Sequence, residues 1–169
     1  MIRFTILMMK RNDLRMKNIL FRAKRDDTKE WVYGYYAHMP DAVKVEDIIY
    51  TPAKNPDDHN HTYYIDPNTL GLYVGLTDKN GTKIFVGDIL QGDEYPFCSD
   101  GDYNYYAEVL WFDDGCCGAG LYTHKNPKST IRGISDGNCK WLDDFDSNNW
   151  LVIGNIFDNP EVIGKKVMG

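Results

Sequence analysis

The sequence predicts a mainly β chain: a small antiparallel barrel with an N-terminal accessory hairpin or sheet, and little helix. Three observations carry this. Aromatic residues make up 14% of the 169 positions, with twelve Tyr, seven Phe and four Trp, and such side chains favour a pleated, half-buried surface. About eight short strand-like runs alternate with turn formers, the pattern of a sandwich or barrel. The run Leu72-Tyr-Val-Gly-Leu76, then Asp78-Lys-Asn-Gly81, then Thr82-Lys-Ile-Phe-Val86 is the strongest short-range hairpin signal a sequence offers.

Residues 1–15 look unlike the rest, and a Met-Lys pair opens at Met16. The native start is expected at Met16, with residues 1–15 an upstream extension or a frayed tail. From Asn18 the run Asn-Ile-Leu-Phe-Arg-Ala reads as a strand, Arg25–Glu30 as a polar turn, and Trp31-Val-Tyr-Gly-Tyr-Tyr36 as an aromatic strand. Residues 19–37 therefore form a hairpin. Val43–Tyr50 reads as a strand rather than a short helix. Thr51–Asn60, rich in Pro, Asp and Asn, is an exposed loop.

Thr62–Ile65 is a short strand. Asp66-Pro-Asn-Thr69 places an N-cap residue before Pro, which predicts one helical turn. After the Asn80-Gly81 hairpin, Gly87 marks a bend into a strand at Asp88–Leu90. Residues 92–104 are loop-like. Strands follow at Tyr106–Phe112, Ala119–Thr123 and Trp150–Phe157, the last ended by Asp158-Asn-Pro160. Lys140–Phe145 reads as a short helix or strand.

Composition narrows the function classes. The net charge of −6 works against a phosphate backbone, whose binding needs clustered Lys and Arg, and against an anionic membrane surface. No apolar run approaches the roughly 18 residues that a span requires. The opening is charged too soon for a signal peptide. A cytoplasmic location is expected, with Cys98, Cys116, Cys117 and Cys139 as free thiols in a reducing compartment.

Catalytic chemistry finds little purchase. His59-Asn-His61 could turn both imidazoles toward one metal ion on an extended segment. The surrounding Pro-Asp-Asn loop explains two solvated histidines equally well, and no third or fourth ligand is signalled. The carboxylates Asp100, Asp102, Asp143, Asp144 and Asp146 read as solvated acidic loops, although paired acids can serve hydrolysis. Gly115-Cys-Cys-Gly-Ala-Gly120 lacks the Lys-Ser/Thr of a phosphate cradle. Neither an enzyme activity nor a cofactor is expected. Exposed aromatics can stack single-stranded bases, and Arg22, Lys24 and Arg25 form the only dense basic cluster within the predicted fold. Those three are the candidate nucleic-acid contacts. Core or subunit-interface packing is the preferred use of the aromatics.

Three blocks resemble the YopX family of phage- and prophage-encoded proteins. They are Ile19-Leu-Phe-Arg-Ala-Lys24 with its aromatic strand, Ile65–Leu90 including Gly75-Leu-Thr-Asp-Lys-Asn-Gly81 and Ile84-Phe-Val-Gly-Asp-Ile-Leu90, and Val152-Ile-Gly-Asn-Ile-Phe-Asp-Asn-Pro-Glu161. The strand Glu108-Val-Leu-Trp111 lies between the last two. The resemblance covers about 16–164. It implies a β-rich intracellular domain, with an accessory lobe at about 16–65 and an SH3-like barrel at about 66–160, that assembles into homo-oligomers. No catalytic residue or cofactor comes with it. Its matched residues have structural jobs: Asp78, Asn80 and Gly81 at the turn, Gly87 at the bend, Asp88 as a cap for backbone donors, and Gly154, Asn155 and Pro160 at the end of the last strand. The function expected is a non-enzymatic, self-associating phage or prophage accessory protein that binds a phage or host macromolecule. The alternative is a nucleic-acid-associated factor of phage replication or regulation.

Overall fold

The structure, a computed structural model, describes residues 19–40, 45–53, 55, 57–92, 98–99, 102–103, 105–112, 118–125, 139–142 and 149–164. The expectations for residues 1–15, Met16, Cys116, Cys117, Asp100, Asp143, Asp144 and Asp146 lie outside the described residues. Among those described, the chain is mainly β and antiparallel, and its one helix is a short 3-10 turn at Pro160–Ile163. No described helix is long and apolar enough to cross a membrane.

The first sheet contains β1 (Phe21–Arg25), β2 (Trp31–Pro40), β3 (Val45–Thr51), β4 (His61–Thr77) and β5 (Lys83–Phe85), in that order. The predicted hairpin at 19–37 is present, with Phe21 opposite Gly34 and Lys24 opposite Trp31. Strand β4 is the organiser. Its first residues pair with β3, from Thr51↔His61 to Ile48↔Tyr64. Its middle pairs with β1, and its end with β5. Pairing therefore runs from β1 through β2 and β3 to β4 and returns to β1. Within this ring sit Ala23, Ile49 and Ile65, with Phe21, Val32, Tyr36, Tyr63 and Leu70 packed against them.

The expected helical turn at Asp66–Thr69 is instead part of the continuous strand β4. Arg22 pairs with Gly71 and Lys24 with Asp66, so four residues bulge opposite Ala23. The same side chains that would cap a helix close this bulge. Asp66 accepts the Asn68 N–H at 3.0 Å. The Thr69 hydroxyl donates to the Asp66 carbonyl at 2.7 Å and accepts the Lys24 N–H at 2.8 Å, replacing the ladder bond that the bulge removes.

The second sheet is built from β6 (Asp88–Gly92), β9 (Tyr105–Phe112), β10 (Gly118–Lys125), β11 (Cys139–Trp141) and β12 (Trp150–Asn155). Their order across the sheet is β11-β10-β9-β6-β12. The two-residue strands β7 (Cys98–Ser99) and β8 (Asp102–Tyr103) pair with each other. Ile84, Leu90, Ala107, Val109, Leu121 and Trp150 are buried together, joined by Val74, Leu76, Leu142 and Val152. This core is shared, because Val74, Leu76 and Ile84 belong to the β4–β5 hairpin of the first sheet.

The chain passes between sheets at Val86-Gly87, so the division expected near 65/66 falls inside β4. At Gly87, φ is 87°, a left-handed conformation natural to Gly. Its N–H donates to the Val109 carbonyl at 2.8 Å, and its carbonyl accepts the Ile156 N–H at 2.9 Å. The last strand ends at Asn155 rather than Phe157, and Pro160 starts the 3-10 turn instead of terminating the strand.

Candidate functional site

Of the three candidate nucleic-acid contacts, Arg22 is buried and Lys24 and Arg25 are half-buried. Arg22 is 7% exposed, ion-paired with Asp88, and its guanidinium lies 4.8 Å from the ring centres of both Trp31 and Phe85. Arg22 is thus held inside the fold. Lys24 is ion-paired with Asp158 and lies 5.5 Å over the Trp31 ring. Arg25 donates through Nε to Asp27 at 2.8 Å. Each cation of the cluster thus meets an acid of the chain itself.

Asp88 is the residue expected to cap backbone donors, and its Oδ2 accepts the Phe85 N–H at 2.7 Å. Its other oxygen touches the Arg22 guanidinium without hydrogen-bond alignment. Burial pushes the Asp88 carboxyl above its usual range, and outweighs the opposing pull of Arg22 and of the Phe85 N–H.

Asp78 holds the β4–β5 turn and fastens it to β12. Oδ1 accepts the N–H groups of Asn80 and Thr82, both at 2.9 Å, and Oδ2 that of Val152 at 3.0 Å. Burial works against ionisation, but these three N–H groups outweigh it and hold the carboxyl below its usual range. The Lys79 N–H reaches the Trp150 carbonyl at 3.0 Å, a second tie to β12. Only Gly81 of the Asn-Gly pair takes positive φ, at 82°. With Gly81 N–H on the Asp78 carbonyl at 2.9 Å and Asp78 N–H on the Thr82 carbonyl at 2.8 Å, this is a three-residue loop with a Gly bulge.

The end of β12 closes on the first hairpin. Asn155 Oδ1 accepts the N–H groups of Phe157 and Asp158 at 3.0 and 2.9 Å. Gly154 follows the register shift in the β12–β6 pairing. Asp158 accepts Trp31 Nε1 at 2.7 Å and Asn155 Nδ2 at 2.9 Å, besides pairing with Lys24. Burial opposes its ionisation, yet these donors hold its carboxyl below the usual range.

The outer face of the first sheet carries exposed aromatics. Tyr33, Tyr35 and Met39 are 47%, 41% and 46% exposed, and Tyr64 is 53% exposed. Alternation places 33, 35, 37 and 39 on one face of β2. Ala37 is opposite Ile48, and Ile48 opposite Tyr64, which brings Tyr64 to the same face. A groove beside it is lined by Arg25, Asp26, Asp27, Thr62, Tyr63 and Tyr64. His61 opens β4, stacks on Tyr63 at 5.9 Å and lies 3.7 Å from Asp58. His59 precedes it in the loop, its N–H on the Asp58 side chain at 2.9 Å. No group of three or more potential metal-ligating side chains occurs among the described residues.

One pair and one group of three escaped the sequence reading. His124 Nε2 and Glu108 Oε2 lie 2.7 Å apart, both buried, with Tyr122 edge-on to the imidazole at 4.9 Å. Finding them requires the β9–β10 register, which sets Glu108 opposite Tyr122 and His124 opposite Tyr106. Asp47 Oδ1 accepts the Tyr36 hydroxyl at 2.6 Å and meets His38 Nδ1 at 2.9 Å. The bond from Tyr36, then that from His38, holds the Asp47 carboxyl below its usual range.

Comparison with known proteins adds lineage. The crystal structure of protein EF1440 from Enterococcus faecalis is similar at 22% identity, covering 86% of this chain and 99% of that chain, with a TM-score of 0.44. Among curated proteins there is no match. The family model described as YopX protein matches residues 20–164. With nearly the whole described fold inside that match, the chain belongs to the YopX family.

Proposed function

We propose that the chain is a non-enzymatic, self-associating accessory protein of phage or prophage origin. It works in the bacterial cytosol by binding macromolecules, and the outer face of β2, β3 and β4 is its surface for a second copy. The observation that carries this is the exposure of Tyr33, Tyr35, Met39 and Tyr64 together on that face. Tyr is enriched where one protein meets another, and grouped apolar exposure marks contact sites. The reading of the second sheet as SH3-like draws support from its strand order: β9, β10 and β11 follow one another, β6 lies beside β9, and β12 beside β6. The nucleic-acid alternative is weakened by the acids that meet Arg22, Lys24 and Arg25.

Size-exclusion chromatography with light scattering tests the proposal. Oligomers are expected at micromolar concentration, weakened tenfold or more by Tyr33→Ser with Tyr64→Ser while circular dichroism stays unchanged. A strict monomer at high micromolar concentration removes self-association. Salt-dependent anisotropy of labelled oligonucleotides is expected to show no binding even at low salt, and tight salt-sensitive binding would favour the alternative.

A further inference from the structure

We infer that Asn80-Gly81 is a site of spontaneous backbone isomerisation whose product releases the hairpin's hold on β12. Asn80 and Gly81 are both exposed at the tip of the β4–β5 loop. A Cβ added at Gly81 would meet no heavy atom within 4 Å, so no side chain packs over the Asn80-Gly81 tip. The chemistry needs no partner but water. The Gly81 backbone nitrogen gives up its proton and attacks Cγ of Asn80, forming a C–N bond. The side-chain nitrogen leaves as ammonia, and a five-membered imide remains. Water then opens the ring at one of its two carbonyls. One opening gives aspartate. The other gives isoaspartate, in which the main chain runs through the former side chain and is longer by a methylene.

The native turn restrains this reaction, because the Gly81 N–H is held on the Asp78 carbonyl at 2.9 Å. Cyclisation therefore proceeds through local opening of the loop, a motion available at exposed tips without global unfolding. The consequence is specific to this fold. Asp78 Oδ1 holds the N–H groups of Asn80 and Thr82, and Oδ2 holds that of Val152. A lengthened main chain between residues 80 and 81 moves the Gly81 and Thr82 donors out of register, and turns Asp78 away from Val152. The Lys79–Trp150 bond shares the same loop and loosens with it. One chemical event at a solvent-facing tip thus weakens a joint between the two sheets.

The test incubates the folded chain at mildly alkaline pH, beside the same chain unfolded in urea. Peptide mapping and isoaspartyl methyltransferase labelling read position 80, and hydrogen exchange reads the Val152 and Lys79 amides. The expected result is isoaspartate at position 80 in the folded protein, formed more slowly than in urea, with faster exchange at Val152 and Lys79 in the isomerised fraction. Asn80→Ala, which lacks the carboxamide, is expected to keep its protection throughout. An intact Asn80 in the folded protein, when the urea-unfolded chain has already converted, overturns the inference. Conversion with unchanged Val152 exchange does the same.

Discussion

Arg22 and Asp88 show how a charge comes to sit inside this protein. The guanidinium trades water for the faces of Trp31 and Phe85 at 4.8 Å and for the Asp88 carboxylate. Three of the polar atoms involved, Arg22 Nε and Nη2 and Asp88 Oδ1, make no aligned hydrogen bond. Desolvation on this scale is only balanced when both charges stay together. Arg22→Met alone is therefore expected to destabilise the fold by about 3–5 kcal/mol, because Asp88 keeps a buried charge without its partner. Arg22→Met with Asp88→Asn is expected to recover most of that loss, since the carboxamide oxygen still accepts the Phe85 N–H and no charge is left buried. Urea unfolding of the two variants and the parent measures the difference. Costs that simply add in the double variant would show that the two residues act independently.

At the scale of one element, β4 carries the sharpest departure from its local signals. Thr69 is 7% exposed, and its hydroxyl both donates to the Asp66 carbonyl and accepts the Lys24 N–H. Thr69→Val keeps the shape and removes both bonds, leaving a Lys24 donor unmet at the bulge. The expected cost is about 1–3 kcal/mol, and Thr69→Ser is expected to restore most of it. Urea midpoints check this, and a Val variant as stable as the parent would show that the bulge closes without Thr69. The Asn80-Gly81 hairpin is legible in the sequence because its turn chemistry is local and one arrangement satisfies it. Asp66-Pro-Asn-Thr69 is not, because the same oxygens that cap a helix can close a strand bulge. Only the long-range pairing with β1 decides between them. The burial of Arg22 is illegible for a similar reason: Asp88 and Phe85, which bury it, are distant along the chain. The exposed Tyr33–Tyr35 stripe can be anticipated as alternation in a strand, whereas Tyr64 joins it only through the β3 register.

Across the whole molecule, the two sheets are held by a shared core and by three acids with different titration. Asp88 faces Arg22 from the start of β6. Asp78 ties the β4–β5 hairpin to Val152, and Asp158 ties the end of the chain to Lys24 and Trp31. Asp78 and Asp158 have folded-state pKa values below the ordinary 3.8. Their contribution is therefore complete above that value and disappears as pH falls through the lowered ones. Asp88 has the opposite sign. Its folded pKa is raised above 3.8, so its contribution is complete below 3.8 and is lost as pH rises through the folded value. Acidification from neutral pH first relieves Asp88 and then, below about 3.8, dissolves the other two ties. Stability is accordingly expected to hold or rise slightly down to mildly acidic pH and to fall steeply below the ordinary carboxylate range. Replacing Asp78 and Asp158 together by Asn lowers stability at neutral pH and flattens the steep acid limb, because neither position then titrates. Urea midpoints followed by Trp fluorescence across this pH range separate the two limbs. An acid limb as steep in the double variant, Asp78→Asn with Asp158→Asn, as in the parent would place acid sensitivity in other carboxylates and remove both ties from the account of how the sheets are joined.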